Sequence, residues 1–322
     1  MINRYIPNIS RIEFSVTYAC TGHCAHCSVG DRLHTSGHLS SQAAFAVVKD
    51  LCSNYRVDSV MTFGGEPLLF PDTVSAIHTA ALQCGITKRQ LITNGFFSTD
   101  HQKIAAVAAK LAASGINDLL LSVDAFHQAH IPLEPVLTFV SEIRKYPSVR
   151  LRTQPAWLVN REHNNPYNIE TERLLSLFAE HGIPSNEGND IFLEGNAEKN
   201  LAQYYPQHSS FDPDEKCGTQ PYTSPLDRIT SLSIDPNGDV IFCCFKVGNI
   251  FEKPILTILE KYDPYSDPAM AALLNGGIKA LADYTSTCKD NSLYSIDTTK
   301  IHSACGLCRA IAAIRNRLDR SC

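Results

Sequence analysis

Hydrophobic and polar residues alternate over short stretches throughout the first two thirds of the chain. In "RIEFSVT", Ile12, Phe14 and Val16 stand two residues apart, which is the period of a β-strand with one buried face. Further runs of this kind are "DSVMTF", "RQLIT", "DLLLSVD", "VRLRTQPAWLV" and "DIFLEG". The longer segments between them have apolar residues every three or four positions, which predicts helices. They are "LSSQAAFAVVKDLCSNY", "DTVSAIHTAALQCG", "DHQKIAAVAAKLAASG", "PLEPVLTFVSEIRKY" and "IETERLLSLFAEHG".

Strand and helix thus alternate as six β/α units of roughly thirty residues each. This order predicts a parallel sheet covered by helices. Because a closed barrel of this type needs eight units, we predict an α/β fold with a partial, TIM-like (β/α)6 barrel over residues 1–200. The functional groups of such barrels gather at the carboxyl ends of the strands.

The pattern changes after about residue 200, where a connecting segment is rich in Pro, Ser and Asp. "ITSLSIDPNGDVIFCCF" predicts a β-hairpin around its Pro-Asn-Gly-Asp turn. "ILTILEKY" predicts a short helix, and "HSACGLCRAIAAIRNRL" a Cys-x2-Cys loop that runs into a helix. We therefore predict a second domain over residues 201–322, a cysteine-rich extension built from a β-hairpin plus helices.

Composition and charge narrow the class of protein. A formal net charge of −5 argues against a nucleic-acid partner held by a broad basic surface. No apolar run approaches the ~18 residues of a membrane span. The amino-terminal "MINRYIPNIS" also lacks the apolar core of a signal peptide. We predict a cytoplasmic protein with neither a nucleic-acid nor a membrane partner.

Twelve cysteines are many for a chain without a secretory signal, and in a reducing compartment they favour metal ligation over disulfides. Cys52 and Cys84 fall in helical apolar patterns, so we expect buried structural thiols there. The other ten form a front group and a rear group: Cys20, Cys24, Cys27; and Cys217, Cys243, Cys244, Cys288, Cys305, Cys308, Cys322.

The front group has the spacing C-x3-C-x2-C in the loop "TYACTGHCAHCSVG". A structural zinc site normally closes with four protein ligands, whereas a catalytic metal keeps one position open. Three thiolates in one loop therefore indicate a metal centre with an open position. Zinc with His23 or His26 as the fourth ligand is the alternative.

The cysteine loop follows the first strand, "GGEP" follows the second, and "TNG" and "SVD" end the third and fourth. In this order the motifs resemble the radical SAM superfamily over residues ~10–200. The resemblance implies a [4Fe-4S] cluster on Cys20, Cys24 and Cys27, with S-adenosylmethionine on the fourth iron. Reductive cleavage of that cofactor would yield a 5′-deoxyadenosyl radical, which abstracts hydrogen from a substrate.

The same resemblance implies contacts to S-adenosylmethionine. The glycine-rich turn would approach the methionine moiety of the cofactor. The ends of the third and fourth strands would face the ribose or the polar groups of the methionine moiety. The fifth strand would meet the carboxylate of the cofactor, and the turn after "FLEG" would border its adenine. In that order the residues are Gly64, Gly65, Glu66, Pro67; Asn94, Ser122, Asp124; Arg152 or Gln154; and Gly195, Asn196. The family often has an aromatic residue before its third cysteine, where this chain has His26.

The rear group resembles the auxiliary-cluster (SPASM or twitch-like) extension of peptide-modifying radical SAM enzymes. By that resemblance, a second [4Fe-4S] cluster would be held by Cys217, Cys243, Cys305 and Cys308. Four thiolates also suit zinc, which is the main alternative. Cys288 and Cys322 are left over.

Cys244 directly follows Cys243. Adjacent side chains on a strand point to opposite faces, so we expect only one of the two to ligate the cluster. Cys244 would then face the active site as a catalytic thiol that returns a hydrogen atom, an arrangement that resembles radical SAM peptide epimerases. The alternative is that Cys244 packs inward.

Together these features predict an enzyme that modifies a peptide or protein by epimerisation, crosslinking or side-chain oxidation. The family implies a reducing partner such as flavodoxin or ferredoxin. The alternative is an iron–sulfur or zinc protein that binds or transfers electrons without S-adenosylmethionine chemistry.

Overall fold

A computed structural model of the chain describes residues 3–30, 37–205, 212, 214–218, 223–287 and 304–318. It contains two compact units, which we call the core unit and the rear unit. The core unit comprises Ile12–Tyr205 and Asp235–Asn237, and the rear unit comprises Met1–Arg11, Pro206–Ile234 and Gly238–Cys322.

The first residues of the chain group with the rear unit because hydrogen bonds hold them there. The Asn3 side-chain amide donates to the carbonyl oxygens of Leu259 and Tyr262, over 2.9 and 2.6 Å. Further along, the Ile229 N–H donates to the carbonyl of Tyr5. No local sequence pattern indicates such a long-range pairing.

Five strands form the sheet of the core unit, in the order β1-β2-β3-β4-β5. They are β1 (Arg11–Ser15), β2 (Ser59–Phe63), β3 (Lys88–Thr93), β4 (Asp118–Ser122) and β5 (Arg150–Gln154). The pairs from β2 to β5 are parallel. Along β1 and β2 buried residues alternate with half-buried ones, so one face is covered and the other is partly open. The structure confirms the predicted α/β fold with a parallel, partial barrel.

Helices separate these strands. They are α1 (Ser41–Asn54), α2 (Pro71–Gln83), α3 (His101–Ala113), the short α4 (Ala125–Gln128), α5 (Leu133–Ile143), α6 (Pro166–Glu180) and α7 (Asn196–Leu201). Each predicted long helix is present. The Ser40 hydroxyl caps α1 by accepting from the N–H of Ala43, and the Asp100 carboxylate caps α3 in the same way. In the described part of the chain, no helix is both long and apolar enough to cross a bilayer.

Two expectations for the core unit are corrected. The predicted fifth strand is interrupted at Pro155, which has no N–H for a sheet ladder, and the chain continues as β6 (Ala156–Trp157). The predicted sixth strand "DIFLEG" is replaced by the two-residue β7 (Asn189–Asp190), which pairs with β6. Cys52 and Cys84 are half-buried rather than buried, and their thiols interact with each other.

The rear unit has three antiparallel strands, β8 (Ser231–Ile234), β9 (Asp239–Phe242) and β10 (Phe245–Asn249). The predicted hairpin is confirmed, whereas β10 has no counterpart in the sequence prediction. The helices are α8 (Ile255–Glu260), which was predicted, α9 (Pro268–Thr287), which was not, and α10 (Ala304–Leu318). A kink at Gly276 and Gly277 interrupts α9.

Two further expectations are corrected in the rear unit. Cys305 and Cys308 lie in the first two turns of α10 and not in a loop before it. Cys243 and Cys244 form the turn between β9 and β10, so the strand geometry that would send them to opposite faces does not apply. Cys288 and Cys322 lie outside the described residues.

Candidate functional site

The cysteine loop leaves the carboxyl end of β1 and brings three thiols to that edge of the sheet. Cys24 is buried, and Cys20 and Cys27 are half-buried. The N–H of Cys27 donates to the carbonyl of Cys24 over 3.2 Å, which tightens the loop into a turn. The Cys20 sulfur accepts from the N–H of Gly22 at 3.4 Å. Burial raises the pKa of the Cys20 thiol to about 11 and also raises the pKa of Cys24.

The glycine-rich turn after β2 is joined to the chain that enters this loop. The N–H of Gly65 donates to the carbonyl of Thr17 at 2.7 Å, and the N–H of Glu66 to that of Ala19 at 2.8 Å. A Cβ on Gly65 would lie 2.1 Å from the Ala19 oxygen, and one on Gly64 would lie 2.4 Å from the Thr17 oxygen. Neither position admits a side chain, because two backbone segments are in direct contact there.

Glu66 is fully buried beneath the site. One carboxylate oxygen accepts from the N–H of Leu68 at 2.9 Å and the hydroxyl of Thr93 at 2.7 Å; the other accepts from the N–H of Asn94 at 2.8 Å. Burial raises the pKa of this carboxyl to about 7, although the three hydrogen bonds act in the opposite direction. The side chain therefore ties the end of β3 to the glycine-rich turn, and its oxygens are already engaged by the protein.

Asn94 reaches from the end of β3 to the cysteine loop. Its amide nitrogen donates to the Cys20 sulfur at 3.7 Å and to the Thr21 hydroxyl at 3.2 Å. Its amide oxygen accepts from the N–H of Phe96 at 2.8 Å, which fixes the orientation of the side chain. Asn94 thus supports a cysteine sulfur directly.

A second clamp comes from the turn before α7. Asn196 donates to the cysteine loop twice, from its backbone N–H to the Cys27 carbonyl at 2.9 Å and from its side chain to the Cys24 carbonyl at 3.3 Å. Gly195 has a φ of +58°, and a Cβ there would lie 2.8 Å from the Cys27 oxygen. The structure places both predicted adenine-side residues against the cysteine loop.

Two half-buried histidines, His26 and His127, lie beside Cys24. Asp124 caps α4, and its carboxylate accepts from His127 Nδ1 at 2.8 Å. Burial tends to raise the pKa of Asp124, but His127 outweighs it and the pKa falls to about 2. Burial tends to lower the pKa of His127, but Asp124 raises it. His26 lies against this pair, with a ring-centroid distance of 4.9 Å to His127, and burial lowers its pKa to about 4.

The Cys24 sulfur and imidazole nitrogens of His26 and His127 all lie within 4.8 Å of one another. This grouping could hold one metal ion but includes only one of the three loop cysteines. The grouping therefore differs from the alternative predicted from the sequence, in which all three cysteines and one histidine bind a single zinc ion. His23, the other candidate zinc ligand, is exposed, and its ring lies edge-on to His130 at 6.4 Å.

The remaining predicted residues have protein partners or end a strand. Arg152 forms an ion pair with Asp118 at 2.8 Å, and it also donates to the Asn186 side chain at 3.2 Å. Gln154 accepts from the same Asn186 side chain at 2.6 Å. Ser122 is buried at the end of β4. Arg152 is thus held within the sheet.

The rear unit contains a second cysteine site. A cavity there is lined by five cysteines and by charged and apolar side chains. Its cysteines are Cys217, Cys243, Cys244, Cys305 and Cys308. The Cys217 and Cys243 sulfurs are 3.2 Å apart. The structure brings together all four predicted rear ligands and adds Cys244 to them.

Both sites have the donors that iron–sulfur clusters use. The front loop offers three thiols, one of which receives N–H donors from Gly22 and Asn94 of the kind that support a cluster sulfur. The rear cavity offers at least the four thiols of a closed cluster. The donor sets therefore fit one cluster with an open position and one without.

The comparison with known families agrees with this reading. A profile of the radical SAM superfamily matches residues 14–185. The chain belongs to the radical SAM superfamily. A second profile, SPASM, an iron–sulfur cluster-binding domain, matches residues 228–290. The predicted cofactors are thereby confirmed: this radical SAM protein uses a [4Fe-4S] cluster and S-adenosylmethionine, and its SPASM region binds auxiliary iron–sulfur.

The curated relatives are distant. A GTP 3′,8-cyclase of Desulforamulus reducens is 28% identical over 129 residues, which are 39% of this chain and 38% of that protein. A GTP 3′,8-cyclase of Rhodopirellula baltica is 26% identical over 132 residues, which are 40% and 35% of the two chains. The chain thus matches less than two fifths of the length of these relatives.

Solved structures share the fold at low identity. Native anSMEcpe with bound AdoMet and Cp18Cys peptide has a TM-score of 0.51 at 13% identity, covering 98% of this chain and 100% of that one. Streptococcus suis SuiB bound to precursor peptide SuiA has a TM-score of 0.50 at 16% identity, covering 84% and 67%. The likeness concerns the fold.

Sequence reasoning did not identify His127 or Tyr205. His127 follows Asp124 by three residues, the spacing of a helix cap and its first turn, which was a usable signal. Tyr205 accepts from the Val159 N–H at 3.2 Å and donates to the Ile191 carbonyl at 2.6 Å. It thereby supports Val159, whose φ is +68°. Nothing local in the sequence indicates that contact.

Proposed function

We propose that this radical SAM enzyme holds its [4Fe-4S] cluster on Cys20, Cys24 and Cys27 and uses it for reductive cleavage of S-adenosylmethionine. The observation that carries the assignment is the double clamp on the cysteine loop. The Gly64–Gly65 turn holds its entry, and Gly195 and Asn196 hold its exit. The bound cofactors would supply a 5′-deoxyadenosyl radical that takes a hydrogen atom from the substrate.

The chain's own residues then divide into supports and cofactor contacts. Glu66 and Asn94 position the loop, since their side chains bond to its neighbours and to Cys20. His26 is the best candidate for a cofactor contact. Its Nδ1 is buried and has no hydrogen-bond partner within the described part of the chain, so a bound group could satisfy it.

We propose the other S-adenosylmethionine contacts from the pattern of the family. Backbone groups of the Gly64–Pro67 turn are better placed for this task than the Glu66 carboxylate, because that carboxylate is fully engaged. Gln154 and Ser122 at strand ends are candidates for the polar groups of the cofactor, whereas Arg152 would have to leave Asp118.

We further propose a peptide or protein substrate. The support is the SPASM match together with the fold shared with anSMEcpe and SuiB, both of which were solved with peptides. Epimerisation, crosslinking and side-chain oxidation are the candidate outcomes. A flavodoxin- or ferredoxin-like donor in the cytoplasm would supply the electron.

Two rival functions make different predictions. The GTP 3′,8-cyclase relatives favour a nucleotide substrate, but their similarity covers only about two fifths of this chain. A cluster protein without S-adenosylmethionine chemistry would be unusual in this superfamily. It would also leave the unpartnered His26 nitrogen beside the cluster without a task.

The decisive experiment is anaerobic. The protein is reconstituted with iron and sulfide, reduced with dithionite and given S-adenosylmethionine, and both 5′-deoxyadenosine and the EPR spectrum are followed. We expect the spectrum of the reduced front cluster to change on addition of S-adenosylmethionine and 5′-deoxyadenosine to form. The Cys24→Ala variant should lose both responses, and Cys52→Ala, a thiol on α1, should keep both. If an intact, reduced protein shows neither response, the proposal is contradicted.

The substrate class has its own test. The rate of 5′-deoxyadenosine formation is compared with a mixed synthetic peptide library and with GTP. Mass spectrometry in D2O separates epimerisation from the other two outcomes, because epimerisation through an exchangeable thiol incorporates one deuterium, whereas crosslinking and the oxidation of a hydroxyl side chain to a carbonyl each remove two hydrogens. Stimulation by GTP alone would overturn the peptide proposal in favour of the cyclase reading.

A further inference from the structure

The carboxylate of Asp124, which the family resemblance assigns to S-adenosylmethionine, is occupied by the protein itself. The residue is fully buried. One carboxylate oxygen accepts from the N–H groups of Phe126 at 3.0 Å and His127 at 2.9 Å. The other accepts from His127 Nδ1 at 2.8 Å and from the N–H of Ala156 at 3.1 Å. An ionised carboxylate has about four acceptor sites, and the chain fills all of them.

The side chain that this end of β4 offers to a bound group is therefore the imidazole of His127. Asp124 caps α4, and His127 lies in the first turn of that helix. The His127 side chain is 17% exposed, whereas that of Asp124 is 0% exposed. Its Nδ1 is held by Asp124, and within the described residues no group hydrogen-bonds to its Nε2.

This imidazole stands at the front site. A ring nitrogen of His127, a ring nitrogen of His26 and the sulfur of Cys24 all lie within 4.8 Å of one another. The Nδ1 of His26 is also without a partner in the described part of the chain, although it is buried. A buried polar group without a partner is rare in native proteins. Two neighbouring imidazoles thus leave hydrogen-bonding capacity for a ligand beside Cys24.

The bond to Asp124 determines which chemical group suits Nε2. Because the carboxylate accepts from Nδ1, the ring proton is on Nδ1. Nε2 then accepts a hydrogen bond when the ring is neutral and donates one when it is protonated. A hydroxyl group can do both, so it satisfies Nε2 in either state. The ribose of S-adenosylmethionine carries two hydroxyl groups.

We propose that His127 is the hydroxyl-binding residue of the front site, that it contacts the ribose of S-adenosylmethionine, and that Asp124 acts through it as a positioning residue. The inference rests on the proposed function, because it needs S-adenosylmethionine at the front site. A hydroxyl side chain of a peptide substrate is another source of the same chemistry, and the experiment separates the two.

The test measures binding rather than turnover. The full chain is reconstituted with iron and sulfide and kept oxidised, so that S-adenosylmethionine is not cleaved. Equilibrium dialysis gives its affinity and that of analogues lacking the 2′- or the 3′-hydroxyl. The variants are His127→Ala, His127→Gln and Asp124→Asn, with the exposed His101→Ala as the control. Iron content and a thermal melt show whether each variant is folded and loaded.

We expect His127→Ala to weaken binding by about three- to tenfold, the contribution of one hydrogen bond. Removal of one of the two ribose hydroxyls should weaken binding to the parent protein similarly. The same removal should cost His127→Ala nothing further, because the partner of that hydroxyl is already gone. His127→Gln should restore part of the affinity, since its amide both donates and accepts. His101→Ala should bind like the parent.

Asp124→Asn tests the positioning role. An amide cannot accept from both His127 Nδ1 and the N–H of Ala156 as the carboxylate oxygen does, so the imidazole loses its fixed proton position. The variant should weaken binding by itself and add nothing in the His127→Ala background. A further loss in that background would overturn the positioning role, because Asp124 would then act independently of His127.

Unchanged affinity in a folded, iron-loaded His127→Ala would overturn the ribose contact. The rate of 5′-deoxyadenosine formation is then compared between peptide libraries with and without hydroxyl side chains. A difference that the parent shows and His127→Ala lacks would assign the hydroxyl to the substrate instead. A protein that binds S-adenosylmethionine as expected but forms no 5′-deoxyadenosine on reduction would fail the proposed function and support this inference, so the two failures are distinguishable.

Discussion

The front cysteine loop and the rear cysteine cavity are built in opposite ways. The front thiols occupy eight consecutive positions, Cys20 to Cys27, and the surrounding chain holds them through their backbone. The rear thiols come from three segments, which include the β9–β10 turn and the start of α10, and they line one cavity, in which the sulfurs of Cys217 and Cys243 are 3.2 Å apart. Three thiols would leave one iron of a four-iron cluster without a protein ligand, whereas the rear cavity has enough thiols for all four irons.

The two sites should also differ in what supports them. The front loop has a buried polar network beneath it, centred on Glu66, Thr93 and Asn94. The hydrogen bonds of that network join protein groups to one another and fix the position of the loop. In the rear unit, metal binding joins segments that are far apart in the chain, so it should contribute directly to folding stability.

The largest expected effect comes from removing the front ligands. Replacing Cys20, Cys24 and Cys27 by alanine should abolish 5′-deoxyadenosine formation and reduce iron from about eight to about four per chain. Thermal unfolding should change little, because the loop's clamps are backbone contacts. Loss of all iron in this variant would break the comparison, since it would mean that the rear site binds no cluster of its own.

Gly65→Ala should be the next most severe change. Its Cβ would lie 2.1 Å from the Ala19 oxygen, so the glycine-rich turn and the cysteine loop must separate. We expect a destabilisation of about 1–3 kcal/mol and lower front-cluster occupancy with normal rear iron. Chemical denaturation and iron analysis measure both quantities.

The matched control is Gly37→Ala, where a Cβ meets nothing within 4 Å. It should behave like the parent protein. Equal stability of the two glycine variants would show that the turn is not under the steric constraint inferred here.

Glu66→Gln tests the buried carboxylate through pH. The folded pKa of Glu66 is raised from 4.5 to about 7, so the folded state binds this proton more tightly than the unfolded state. The contribution to stability is therefore fully present below the unfolded pKa and is lost as pH rises through the folded pKa. Glutamine abolishes that slope and cannot accept all three hydrogen bonds.

The stability lost on this substitution should thus be largest near pH 5 and shrink by roughly 2–3 kcal/mol toward pH 8. Unfolding free energies across that range measure it. The exposed Glu134→Gln variant is the control and should show a flat difference. A flat difference for Glu66→Gln as well would contradict the raised pKa.

Asn94→Ala should have the smallest effect. Loss of its hydrogen bond to the Cys20 sulfur removes stabilisation of the reduced cluster, at about 1 kcal/mol, or about 40 mV for one electron. The potential of the front cluster should become more negative by that amount in an EPR-monitored titration. The rear cluster of the same sample is the internal reference, and the exposed Asn54→Ala is the control. A shift of both clusters would mean that the effect is not local to Cys20.

Much of the core unit could be predicted because its information is local. Apolar periodicity identified the strands from β1 to β5 and the long helices between them, and the spacing of Cys20, Cys24 and Cys27 identified the front site. Prediction failed where a single residue changed the path of the chain. Pro155 broke the fifth strand, and the turn at Cys243–Cys244 separated β9 from a strand that the pattern did not resolve.

The sequence by itself determined the β/α alternation, the parallel sheet and the three-cysteine loop, since each depends on residues within a few positions of one another. Only the tertiary structure shows which thiols lie together in the rear unit. It also shows that the two positions after β2 must be glycine, because backbone of the cysteine loop lies where a Cβ would be. The structure also shows that the Glu66 carboxylate accepts its hydrogen bonds from groups of the same chain. These features depend on contacts between residues far apart in the chain, and no spacing in the sequence encodes the distance between them.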